Sequence, residues 1–373
     1  MSAETGKYTL GVEEEYQVVD AESRGLVPRG GPVLERARQA LGEQVVPELR
    51  ASQIEVVSSV CRTLAEVRTE LVRLRRRVSG AAYEEGCRIV AASTHPFSRW
   101  QEQPITSDER YRRLVERYKR LIYQQLAFGF HVHVGLDDRE AALEVMNHLR
   151  VWLAPLLALS ANSPFWHGED TGYASYRTQV WGRLPAAGPP GPFASLAEHD
   201  ALIEALVETG GVLDAASVYW DVRLPEKLET VEIRVADVPS RVDEAVMLAG
   251  LCRALVRVCH EQIGRGESYP DVRPELLRIA HWNASRYGLD GELVDVEARC
   301  VLPAQEMMEK MLAFARPALE EHSDYEEISS LVADTLDRGN GARRQRRAYE
   351  WTGRLEGVVD ALIEETARGT DAT

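Results

Sequence analysis

Four short stretches of the chain separate polar from hydrophobic positions as an extended strand would. They are Val12-Glu13-Glu14-Glu15-Tyr16-Gln17-Val18, Gln53-Ile54-Glu55-Val56-Val57, Phe128-Gly129-Phe130-His131-Val132-His133-Val134 and Thr230-Val231-Glu232-Ile233-Arg234-Val235. Alternate side chains of a strand share a face. Glu13 therefore projects with Glu15, His131 with His133, and Glu232 with Arg234. Four such strands in one sheet would gather carboxylates, imidazoles and a guanidinium on one surface, with the other packed on a core.

The pattern elsewhere supplies the layers around that sheet. Residues 8–20 and 54–60 predict strands, with a short helix over 32–41 between them. Leu64, Val67, Leu71, Leu74 and Val78 recur at helical spacing and predict a long amphipathic helix. A short strand follows over 87–92, closed by Pro96. Asp108 is placed to cap a helix reaching Ala127 and running into the histidine-bearing strand. A helix from Arg139 and an apolar helix over 151–161 come next. Residues 162–193 are rich in turn residues. A loop of that length in a compact chain is usually functional, and this one carries Tyr176, Arg177, Trp181 and Arg183. Beyond it, 195–208 predicts a helix and 219–235 a hairpin turning near Pro225. From Asp243 the pattern is helical to the C-terminus, with breaks near 264–274, Pro303 and 339–341. With no internal repeat or linker-like shift, the simplest account is a single α+β domain over 1–373. It is an antiparallel sheet layered with helices, with a helical part from about 243.

Composition narrows the function. Of 373 residues, 45% are hydrophobic and 28% charged, as in an ordinary soluble globular protein. A net charge of -15 weighs against nucleic-acid partners, which are bound mainly by neutralising phosphates. The basic runs 73–77 and 343–347 read as solvated faces or local ion-pair networks. Cysteines at 61, 87, 252, 259 and 300, with no CxxC pair, fit a reducing cytoplasm better than a disulfide framework. The N-terminus lacks a secretory pattern. The segment 151–161 is too short to cross a bilayer and contains Pro155. A soluble cytoplasmic protein without a membrane partner is expected.

The ligand types on the four strands point to a metal. A glutamate-rich set with few nitrogens and no thiolates suits Mg²⁺ or Mn²⁺, whereas zinc favours histidine and cysteine. The His-x-His pattern alone is unspecific. Glu232 beside Arg234 adds a cation that a simple metal site does not need, and that suits a phosphoryl group held by metal and guanidinium together. No phosphate-binding loop, dinucleotide fingerprint or nucleophile elbow is present. Phosphate handling would fall to metals and arginines on the sheet.

Longer motifs then agree jointly: Leu10-Gly11-Val12-Glu13-Glu14-Glu15-Tyr16, Thr94-His95-Pro96-Phe97 and Gly129-Phe130-His131-Val132-His133-Val134-Gly135. They continue with Leu156 to Trp166, Asp170-Thr171-Gly172-Tyr173-Ala174-Ser175, Trp220-Asp221-Val222-Arg223 and Thr230-Val231-Glu232-Ile233-Arg234. In these the sequence resembles the type 2 glutamate–cysteine ligase family, the carboxylate–amine ligases of the glutamine synthetase-like superfamily. The resemblance implies a curved antiparallel sheet forming a funnel, with ATP and divalent metals between its strands. It also implies a reaction. ATP phosphorylates a side-chain carboxylate, typically that of glutamate, and an amine such as cysteine attacks the acyl phosphate, releasing ADP and phosphate.

Residue by residue, the resemblance gives Glu13, His131 and Glu232 to one metal. Glu15 and Glu55 go to a second, with Glu48 a weaker third member. Arg234 faces the transferred phosphoryl group, which makes Arg234 and Glu232 catalytic. His133 is left between phosphate, substrate and a structural role. Arg177 and Arg223 suit a substrate carboxylate or a phosphate. Thr94 and His95 either contact substrate or shape a turn, and Trp220, Trp181 and Tyr176 either wall the pocket or pack the core. Arg343 and Arg346 are candidates to close on ATP phosphates. The resemblance further implies a homo-oligomer, most simply a C2 dimer. Three alternatives stay open: the same chemistry on another acid or amine, a non-catalytic ATP- or amino-acid-binding protein, and a metal-dependent hydrolase that needs no ATP.

Overall fold

One long strand organises the sheet. In the computed structural model, which describes residues 7–370, Leu10–Asp20 (β1) pairs antiparallel with three others. On one side lies Gln53–Val57 (β3), itself flanked by Val45–Pro47 (β2). On the other side lie Cys87–Val90 (β4) and Phe130–Gly135 (β5), which pair with successive halves of β1. Val222–Arg223 (β6) and Thr230–Ile233 (β7) complete the sheet, giving the order β6-β7-β5-β1-β3-β2. The expected α+β class and antiparallel sheet are what the structure has.

The two faces divide as the alternation requires. Val12, Tyr16, Val18, Ile54, Val56, Val132, Val134, Val231 and Ile233 are buried, packed against helices Leu64–Glu84 (the long amphipathic helix) and Val242–Gly264. Glu14 falls on this core face between two residues of the opposite one. Its carboxylate meets the Arg75 guanidinium at 2.5 Å with both side chains fully buried, and Tyr16 donates its hydroxyl to it. Arg75 spends its remaining donors on the carbonyls of Pro239 and Ser240. Removing one partner would strand a buried charge, a loss of about 3–5 kcal/mol.

The structure departs from the sequence pattern in four places. The helix expected over 108–127 is broken at Lys119, where φ is +47°, into Glu109–Tyr118 and Arg120–Tyr123. The buried guanidinium of Arg50 has no carboxylate partner and takes the carbonyls of Gln103, Tyr123 and Gln125 instead, which holds the segment after the break out of helix. A hairpin, Glu292–Asp295 with Cys300–Pro303, interrupts the helical C-terminal part. Further breaks fall at Ser323 and Gly353, both at positive φ. Strand β2 was not signalled at all. Among the described residues, no helix is long and apolar enough to cross a membrane.

Candidate active site

Register arranges the polar face in rows. Glu13 lies directly opposite His131, Glu15 opposite Glu55, and Glu232 opposite both His133 and Arg223. Two carboxylate clusters result. Ligand atoms of Glu13, His133 and Glu232 lie within 4.8 Å of one another, as do those of Glu15, Glu48 and Glu55. Both histidines come within reach of this pair of carboxylates: His131 Nδ1 lies 4.0 Å from Glu232 Oε1 and His133 Nε2 3.9 Å from the same oxygen. His133 Nε2 lies 3.2 Å from Glu13 Oε1, while His131 turns its Nδ1 to Glu13 Oε2 at 2.7 Å. Both histidines share the face and the same two carboxylates.

His131 lies between the clusters. A Cβ built on Gly129 would stand 2.9 Å from His131 Nε2 and 3.3 Å from both Arg177 Nη2 and Glu15 Oε1. Those three side chains therefore converge where this glycine leaves space. Glu15 Oε2 accepts from the Gly129 backbone N–H at 2.7 Å and from Gln53 Nε2 at 2.6 Å.

The two clusters have opposite electrostatics. Burial raises the Glu13 carboxyl, but His131 and His133 outweigh it and hold it well below the usual range. For Glu232 burial is likewise overcome, here by Arg234 and Arg223. In the other cluster the Gly129 N–H, Arg177 and Arg234 beside Glu15, and Arg110 and Arg234 beside Glu48, do not offset burial. Burial and the neighbouring Glu48 push Glu15 up to about 8. Glu55 is raised by burial and by Glu13, Glu48 and Glu15, and Glu48 is raised by burial. Three crowded carboxylates in mutual repulsion are a site awaiting positive charge, and an all-oxygen donor set is what Mg²⁺ or Mn²⁺ takes.

Two arginines bracket Glu232. Arg223 donates to it at 2.6 Å through Nε, and Arg234 takes its other oxygen. Arg177 reaches the same face from the long loop. Its position is set by Asp237, a fully buried carboxylate that accepts from Asn162 N, Ser163 Oγ and Ser175 Oγ. Ser175 caps the short helix Tyr176–Trp181, and Ser163 Oγ accepts from Arg177 N. The turn-rich loop is thus a built support for one guanidinium.

Other candidates lie apart. Thr94 donates to the Phe165 carbonyl. His95 is saturated by Arg24 O, Phe97 N and Ser98 N, so both polar groups serve the turn. Arg346 pairs with Asp170 and the Tyr173 carbonyl, and Arg343 lies 3.5 Å from Asp290. Both basic side chains are engaged at the surface. Trp181 packs on Tyr219, and Tyr176 on Trp166 and Tyr173. Trp220 packs on Phe193 and also lines a cavity of about 1030 Å³. That cavity opens directly from Glu13, His133, Glu232 and Arg223, with Val218, Leu213 and Ile203 on its apolar side.

The polar face of this antiparallel sheet thus carries two carboxylate clusters and the guanidinium groups of Arg223 and Arg234. The model of glutamate-cysteine ligase family 2 matches residues 9–361, and the chain belongs to that family. It is an ATP-dependent carbon–nitrogen ligase. It is 41% identical to "Putative glutamate--cysteine ligase 2" of Roseiflexus castenholzii, over 97% of this chain and 95% of that one. It is 39% identical to the protein of the same name from Rhodopirellula baltica, over 96% of each. In fold it is similar to the glutamate–cysteine ligase of Francisella tularensis, solved in complex with AMP. The TM-score is 0.73 at 12% identity, covering 98% of this chain and 90% of that one. It is also similar to a bifunctional glutathione synthetase from Pasteurella multocida, with TM-score 0.70 at 16% identity, covering 98% and 53%.

Proposed function

We propose that the protein joins the γ-carboxylate of a glutamate-like acid to an amine, with cysteine as the default acceptor, through an acyl phosphate, giving ADP and phosphate. The observation that carries this reading is the pair of carboxylate clusters on either side of His131, with Arg234 on the same face. The reaction must bring a triphosphate and a carboxylate together. Anions meet only where fixed positive charge offsets their repulsion, so positioning and electrostatics supply most of the catalysis.

Glu15, Glu48 and Glu55 would hold one Mg²⁺ or Mn²⁺, and Glu13 and Glu232 would hold another with His131 or His133 as the nitrogen ligand. Such ions neutralise phosphate charge. The chain's own residues do the rest. Arg234 is placed to stabilise the phosphoryl group in flight, and Arg223 keeps Glu232 ionised and oriented. Arg177 offers a buried guanidinium to a substrate carboxylate. The cavity beside the first cluster has the size and the apolar wall for a nucleotide base, and its Lys227 and Arg139 add positive charge at the rim.

The test is product formation with each component withheld in turn. A ligase releases ADP only when ATP, acid and amine are all present. A metal-dependent hydrolase would turn over without ATP, and that result would overturn the proposal.

A further inference from the structure

Asp221, a carboxylate on the chemistry-bearing face, belongs to neither carboxylate cluster and forms no ion pair with a guanidinium among the described residues. Asp221 stands one residue before β6, and its carbonyl accepts from Arg234 N at 2.8 Å. The register that sets Arg223 opposite Glu232 and Ile233 opposite Val132 therefore extends to a second row. That row runs Asp221, Arg234, His131, Glu13 across four strands. Asp221 closes its outer end.

A histidine from outside the sheet meets it there. Helix Pro274–Tyr287 packs on the Arg177 loop, where Gln179 Nε2 donates to Ser285 Oγ and the Ser285 carbonyl accepts from Ala174 N and Ser175 N. One turn earlier on this helix, His281 points its Nε2 at Asp221 Oδ2, 3.3 Å away. Its Nδ1 lies 2.8 Å from the Leu277 carbonyl. A carbonyl only accepts, so Nδ1 carries a proton, and in the neutral ring Nε2 presents a lone pair.

Two acceptors thus face one another. His281 Nε2 is buried without a hydrogen-bond partner, and the ring is 5% exposed. Among the described residues, no side chain donates to the Asp221 carboxylate, whose side chain keeps 15% of its exposure. A buried acceptor left unsatisfied loses about 1–3 kcal/mol. A group with several N–H donors and a positive charge would satisfy both at once. Burial raises the Asp221 carboxyl, so its surroundings favour a proton there.

Resting on the ligase reading, we propose that Asp221 and His281 form the site for the acceptor's amino group. They receive it as an ammonium, accept one proton from it, and present the free nitrogen to the acyl carbon beside Arg234. The nitrogen lone pair forms the C–N bond. The C–O bond to the phosphoryl group breaks, with its electrons leaving on phosphate. The second amine proton passes from the tetrahedral intermediate to a departing phosphate oxygen, and the first leaves the pair to solvent. The arginines on this face serve anions, which makes Asp221 the group on this row able to select a cationic nucleophile. The acceptor class is then a primary amine that is protonated in solution.

Acceptors that differ in protonation test this. Hydroxylamine is largely unprotonated at neutral pH and needs no base to become nucleophilic, whereas an alkyl amine does. The experiment compares wild type with Asp221→Asn, giving each ATP, Mg²⁺ and L-glutamate. The acceptor is either hydroxylamine or the fastest amine of a panel headed by L-cysteine. Hydroxamate and amide are quantified alongside ADP. General-base loss typically removes about 10²–10⁴-fold, so the ratio of hydroxamate to amide rises by about 100-fold or more in Asp221→Asn. Equal falls in both products, or no fall in amide, overturn the proposal. His281→Gln carries the same comparison if the first variant melts well below wild type. Wild-type protein that releases no ADP with any amine of the panel overturns the ligase reading itself, and this inference with it.

Discussion

Arg223 grips Glu232 across the β6–β7 pair with two donors, Nε to Oε2 at 2.6 Å and Nη2 to Oε1 at 3.2 Å. The fork fixes both the charge and the direction of a carboxylate that also serves the Glu13–His133 triad. Arg223→Ala should lower kcat/KM for ATP by about 10–100-fold, the equivalent of about 1.5–3 kcal/mol for a hydrogen bond to a charged group. Arg223→Lys should recover only part of this, because an ammonium cannot reproduce the fork. ADP release at varied ATP reads the effect. Unchanged kinetics in the alanine variant would place Glu232 outside the nucleotide's path.

The Glu15–Glu48–Glu55 cluster predicts a cation-dependent stability. Its carboxylates are crowded together, Glu15 buried and Glu48 half-buried, with no basic hydrogen-bond partner among the described residues. Ligand that binds only the folded state adds about 2.7 kcal/mol at a hundredfold excess over Kd. Mg²⁺ or Mn²⁺ should therefore raise the melting temperature of the metal-free protein. Glu55→Gln should do two things: raise the metal-free Tm by relieving repulsion, and abolish the response of this cluster to the ion. A variant that still gains the full wild-type shift would show that the ion binds elsewhere.

His95 predicts an acid-sensitive turn. Its Nδ1 accepts from two backbone N–H groups, and burial lowers it from 6.5 to about 4. The folded value is depressed, so the unfolded chain takes up the proton first as pH falls. The contribution is complete above about 6.5 and lost as pH falls through about 4, a change of about 3 kcal/mol. His95→Gln should be less stable than wild type at pH 7. The gap between them should narrow by that amount at pH 4, as measured by urea unfolding at each pH. A gap independent of pH would mean the ring is not held neutral.

The parts legible in the sequence are those governed by the two-residue period of strands. Glu13 with Glu15, His131 with His133, and Glu232 with Arg234 share faces because alternation leaves no other choice. Which of the two histidines serves a metal is not legible, since both project from the same face and both lie near Glu13 and Glu232. Glu48 was found only through resemblance. It lies just past β2, a three-residue strand too short to carry a pattern. The end of the expected helix beyond the break at Lys119 was not legible, because Arg50, a buried cation far away in sequence, takes the carbonyls of Tyr123 and Gln125. His281 had no signal either. A histidine on an amphipathic helix looks like any core histidine until the fold sets it against Asp221.

The central claim is most directly tested by ADP release from purified protein supplied with ATP, Mg²⁺, L-glutamate and a panel of amines headed by L-cysteine. The account predicts amine-dependent ADP formation that is abolished in Glu232→Gln while that variant remains folded at the assay temperature, as its circular dichroism reads. Turnover of Glu232→Gln at the wild-type rate, or ADP release indifferent to the amine, would contradict it.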